Sequence, residues 1–116
     1  DAYSSRGFAH RAAGRLTRAI SDFDQAIRID GKFSVAYNNR ADVHIEMNNA
    51  ELALTDLDEA IKLEPGFAVA FANRAFAWTL LKDDSKAGRD RDSAVRLGVD
   101  RVLLEEKMAE FKERAK

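Results

Sequence analysis

Apolar residues along this chain return in step at one long, fixed interval. Ala19, Ala53 and Ala87 lie 34 residues apart, as do Ala26, Ala60 and Ala94. Ile27, Ile61 and Val95 keep that register, and so do Ile29, Leu63 and Leu97. Each unit opens with an aromatic residue followed by a polar stretch and a small residue: Tyr3-Ser4-Ser5-Arg6-Gly7, Tyr37-Asn38-Asn39-Arg40-Ala41 and Phe71-Ala72-Asn73-Arg74-Ala75. A period of this length predicts stacked repeats rather than a closed globule. Helical spacing divides each unit in two, with first helices over about 2–13, 34–47 and 68–81 and second helices over about 15–29, 50–63 and 85–97.

Turn residues punctuate this reading. Gly14, Asn48-Asn49 and Asp83-Asp84 fall inside units, and Gly31, Pro65-Gly66 and Gly98 fall between them. Gly and Asn accept the left-handed conformation that ends a helix, and Pro65 cannot continue one. Short turns force neighbouring helices antiparallel. Small residues at Gly7, Ala41 and Ala75 on the first helices, and at Ala19, Ala53 and Ala87 on the second, let the axes approach closely. The expected fold is all-α: a right-handed α-solenoid of three antiparallel helix pairs plus one terminal helix. It forms one domain over 1–116, with units of about 1–33, 34–67 and 68–101 and a capping helix over about 102–116. The cap is amphipathic, with Leu104, Met108 and Phe111 on one face. In the third unit Gly88 and Arg91 replace the apolar residues found at Ile20, Leu54, Phe23 and Leu57, as suits an outermost repeat.

The pattern resembles the tetratricopeptide repeat, whose consensus sets aromatic, small and proline residues at fixed offsets. In the middle unit those places hold Tyr37, Ala41, His44, Ala53, Leu57, Ala60 and Pro65. In the first they hold Tyr3, Gly7, His10, Ala19, Phe23, Ala26 and Gly31, and in the third Phe71, Ala75, Trp78, Ala87, Arg91, Ala94 and Val99. Gly31, Val99 and Arg91 depart from the family pattern. The resemblance implies a non-catalytic module that binds a peptide or partner segment in its concave groove. The alternatives are a structural solenoid that self-associates through its repeat ends, or the scaffold arm of a larger enzyme.

Composition narrows the partner. Nineteen basic against twenty acidic side chains give a net charge of −1, which argues against a nucleic-acid or membrane surface. The absence of cysteine removes disulfides and cysteine-based zinc sites. No apolar run is long enough to span a bilayer, and no basic-then-apolar leader stands at the start. The compartment is left open: cytoplasmic by default, with a cleaved leader allowed. There is no Gly-rich phosphate loop and no nucleophile elbow, so the reading is of no enzyme and no cofactor.

Two sets of side chains stand out. Arg6, Arg40 and Arg74 recur on the first helices, while Asp22-Phe23-Asp24, Asp56-Leu57-Asp58 and Asp90-Arg91-Asp92 recur on the second. A desolvated arginine needs a carboxylate, so Asp22, Asp56 and Asp90 are the expected structural partners. His10, His44 and Trp78 share one slot that calls for a flat amphipathic ring, and two histidines on separate units make no metal site.

The second set is the groove face of the first helices. Ser5, Asn38, Asn39, Asp42, Ile45, Asn73, Phe8 and Phe76 are the candidate peptide-binding residues. Ser5, Asn39 and Asn73 resemble the asparagine ladder by which some grooves of this family hold a peptide backbone, and Phe8, Ile45 and Phe76 are expected to meet its side chains. The asparagines are expected to lie open, so that their loss barely alters stability. Family members that grip a chaperone's C-terminal carboxylate use Lys, Asn, Asn, Lys and Arg on this face. The matching places here are Ser4, Phe8, Asn39, Val69 and Asn73. Only Asn39 fits, and every cation is missing.

Overall fold

The computed structural model describes residues 1–116 as seven helices and no strand. They are α1 (Ala2–Ala12), α2 (Leu16–Ile29), α3 (Ser34–Glu46), α4 (Ala50–Leu63), α5 (Ala68–Leu80), α6 (Asp84–Arg96) and α7 (Arg101–Arg114). The pairs α1–α2, α3–α4 and α5–α6 pack most extensively. Each second helix also packs on the next first helix, α2 on α3 and α4 on α5. First helices touch one another in sequence, so α1, α3 and α5 line one face of the stack.

Small residues set these contacts, because only they let backbones come close enough for larger neighbours to interlock. Ala19, Ala41, Ala53, Ala60 and Ala75 are wholly buried. Gly7 is the extreme case: a Cβ there would lie 2.9 Å from Phe23 Cε1. In the second unit the same two places hold Ala41 and Leu57, both within one core. A larger residue on one helix is thus matched by a smaller one on its neighbour.

The turns inside units end alike, with a left-handed residue at Gly14 (φ 78°), Asn48 (φ 64°) and Lys82 (φ 63°). The following amide closes each helix, Arg15 N–H donating to the His10 carbonyl at 2.8 Å, Asn49 to His44 at 2.8 Å and Asp83 to Trp78 at 2.9 Å. The sequence placed the third turn on Asp83-Asp84, whereas the repeat register puts the left-handed residue at Lys82. Asp83 instead caps α6, its carboxylate accepting from the Lys86 N–H. Gly31 and Gly66 likewise do not adopt positive φ; between units only Gly98 does, at 116°. A lysine at positive φ suffers the Cβ clash that glycine escapes. Lys82→Gly is therefore expected to raise stability by about 0.5–1 kcal/mol, read as an upward shift in melting temperature. A lower melting temperature would show that Lys82 makes contacts worth more than the strain.

The terminal helix α7 leans on α5 more than on α6. Leu104 packs with Ala72 and Ala94, as a cap should. Further along, Phe111 stacks on Phe76 with ring centroids 4.9 Å apart and joins the core of units two and three. Arg114 Nη2 donates to the Ile45 carbonyl at 2.6 Å. The tilt follows from α6, where Gly88 and half-buried Arg91 take the places of the large apolar residues of α2 and α4. Apolar side chains on α7 find their complement on α5 instead.

Candidate functional site

The concave face is built from α1, α3 and α5, and α7 closes part of it. Ser5 and Phe8 of α1 are exposed, Phe8 at 56%. Asn39 of α3 is half-buried, and its amide is free of hydrogen bonds within the chain. Val35 and Val69, in the first turns of α3 and α5, are exposed beside them. Asp42 is half-buried and held by Arg11 Nη2 at 3.0 Å, while the same guanidinium nitrogen reaches Glu46 at 2.6 Å. Burial pushes the Asp42 carboxyl above its usual value, with Arg11 pulling it back. Arg11 is thus already neutralised by two carboxylates.

Four candidate groove residues are not open. Ile45 is 1% exposed and belongs to the core, because the end of α7 lies over it. Phe76 lies beneath Phe111. Asn38 and Asn73 are each 6% exposed and bond to one another, Asn73 Nδ2 donating to Asn38 Oδ1 at 3.0 Å. Neighbouring first helices approach closely there, so the two amides satisfy each other across the unit boundary. The expectation that Asn73 could be removed without cost is corrected accordingly, since its loss strands a buried acceptor.

Away from the groove, the arginines and aspartates form a continuous ladder. Arg6 Nε and Nη2 donate to Asp22 at 2.9 and 2.7 Å. Arg40 does the same to Asp56 at 2.9 and 2.6 Å, and Arg74 to Asp90 at 2.8 and 2.9 Å. These hydrogen bonds hold the Arg40 and Arg74 guanidiniums above their usual values, against burial. They hold the Asp22 carboxyl below its usual value for the same reason. Each guanidinium also lies over the aromatic residue three places earlier, at 5.4 Å for Tyr3, 5.7 Å for Tyr37 and 5.4 Å for Phe71.

Sequence reasoning missed the second acid of each pair. Arg40 Nη1 donates to Asp24 of the preceding unit at 2.9 Å, and Arg74 Nη1 to Asp58 at 3.2 Å. The signal was present: each internal arginine sits 16 residues from an aspartate on either side. Asp92, the last of the series, has no arginine to follow it, because Met108 stands at that register. It accepts from its neighbour Arg91 instead, at 3.1 Å.

The ring slot is a packing site. His10 and His44 come within 3.7 and 3.8 Å of Asp22 and Asp56, beyond hydrogen-bond length. Burial pushes the His44 imidazole below its usual value. Trp78 carries the Lys86 ammonium 4.5 Å from its ring centroid.

Comparison with known proteins agrees with this architecture. The family profile described as tetratricopeptide repeat matches residues 1–33 and 34–67. No curated protein matches the chain by sequence. Among solved structures, the first tetratricopeptide domain of Spaghetti (RPAP3) bound to an HSP90 peptide superimposes with a TM-score of 0.88 at 18% identity, covering 97% of this chain and 90% of that one. The second domain of the same protein, also with an HSP90 peptide, gives 0.81 at 29% identity over 83% and 89%. The second domain of human RPAP3, in complex with an HSP70 peptide, gives 0.83 at 28% identity over 92% of each chain. With two units matched by the profile and all seven helices in the shared arrangement, this chain belongs to the tetratricopeptide repeat family.

Proposed function

We propose that this chain is a non-catalytic interaction module that binds an extended peptide segment in the open part of its concave face. The observation that carries this reading is Phe8, a large aromatic left 56% exposed on that face and set on the helix next to Asn39, whose amide is uncommitted. An exposed aromatic anchors an apolar side chain, and an amide can both donate to and accept from a peptide backbone. The two related domains at 28–29% identity that were solved with chaperone peptides support a peptide as the ligand class. The mode of recognition differs from a carboxylate grip. Ser4, Val69 and Asn73 offer no cation where that grip needs one, and Arg11 is held by Asp42 and Glu46.

A peptide array identifies a binding sequence, and calorimetry then compares the parent with the double variant Phe8→Ala, Asn39→Ala. Losing one backbone hydrogen bond and one aromatic anchor should weaken binding about 30- to 150-fold. Melting temperature should hardly change, since Phe8 is exposed and Asn39 makes no internal bond. The peptide SRMEEVD is expected to bind no better than a scrambled control. Parent-like affinity in the double variant would overturn the reading, and so would tight SRMEEVD binding.

A further inference from the structure

The Arg–Asp ladder is incomplete at one end. Arg40 and Arg74 each use three nitrogens, two on the aspartate of their own unit and Nη1 on the aspartate of the unit before. Their side chains are 22% and 23% exposed. Arg6 makes the own-unit pair only, leaving Nη1 without a partner, and its side chain is 62% exposed. The backbone around it repeats the pattern. Ala36 and Val43 of α3, and Ala70 and Ala77 of α5, are wholly buried, whereas their counterparts Ala2 and Ala9 of α1 are exposed. In α5 the second of these, Ala77, lies in one core with Ala53 and Leu57 of α4, the helix that also supplies Asp58 to Arg74.

We infer that the outer face of α1 is the receiving half of a further unit-to-unit joint, whose occupant is another helix pair of this repeat type stacked ahead of α1. Its second helix would place a carboxylate on Arg6 Nη1, and a large apolar residue one position earlier over Ala9. Leu57-Asp58 shows this arrangement against Ala77 and Arg74. Charge selects the occupant: an extended guanidinium arm with an unused nitrogen matches a carboxylate, and the internal joints supply one each time. A second copy of this chain cannot provide the joint head-to-tail. Its giving end is α5–α6, which α7 covers through Leu104 on Ala72 and Ala94.

The test is a chain carrying a copy of residues 34–68 directly ahead of Asp1. That register puts the copied Asp58 16 residues before Arg6, the spacing of both internal joints. Hydrogen exchange is followed along α1 in the extended and the present chain. The expected result is at least tenfold slower exchange over residues 2–12 in the extended chain, because end helices open locally and covered ones do not. Asp→Asn at the copied Asp58 should give back at least a third of that slowing on a logarithmic scale. The same change at the resident Asp58 should speed α5 and leave α1 unaffected. Unchanged α1 exchange in the extended chain, or an added unit that melts separately, would overturn the inference. No peptide ligand enters the readout, so the outcome is independent of the groove.

Discussion

Asp56→Ala is expected to lower folding stability by about 2–4 kcal/mol, seen as a lower urea midpoint with an unchanged slope. The Asp56 side chain is only 5% exposed and accepts two hydrogen bonds from Arg40, at 2.9 and 2.6 Å. Removing it leaves a guanidinium that is itself mostly buried, and stranding a charge costs more than the pair contributes. Asp24 keeps hold of Arg40 Nη1, which places the loss below that of a fully orphaned charge. Asp58→Ala is the internal control. That side chain is 67% exposed and makes one bond of 3.2 Å to Arg74, so its removal should cost less than about 1 kcal/mol. Equal losses at the two positions would mean that burial of the acid does not govern the ladder's strength.

Phe23→Ala should cost about 3–5 kcal/mol, the range for emptying a fully buried aromatic site. Collapse cannot recover much, because the wall facing the ring is Gly7, which has no side chain to move inward. The pair also predicts a coupling. Gly7→Ala alone should destabilise by about 1–3 kcal/mol, since the new methyl meets the ring at 2.9 Å and overpacking outweighs the gain in helix propensity. In a Phe23→Leu background the same change should become neutral or favourable, because it recreates the Ala41–Leu57 pairing of the second unit. Thermal melts of the four chains give the cycle. Additive losses would show that the two sites do not sense one another.

These expectations differ in how early they could be reached. The ladder was half legible in the sequence, since arginine and aspartate recur together and burial demands that they meet. The link from one unit to the next was not, because choosing between two aspartates at equal separation requires knowing which helices touch. The groove was least legible. Ile45, Phe76 and Asn73 occupy the register positions that face the concave side in a regular stack. In this molecule α7 tilts onto α5, covers Ile45 and Phe76, and sends Arg114 to the Ile45 carbonyl. Periodicity carries no information about a helix that stands outside the repeat.

Helix number, order, approximate ends and the small-residue contacts all lie in the linear pattern. They depend on local conformational preference and on a spacing that repeats every 34 residues, and both are properties of the chain read in order. Which polar groups stay open is a different kind of fact. Asn39 and Asn73 hold the same repeat position, yet one amide is free and the other is buried against Asn38. Arg6 and Arg40 are likewise equivalent in sequence, yet one guanidinium is open and the other closed. Accessibility depends on what lies across the helix–helix contact, and for these residues that neighbour comes from another unit or from none.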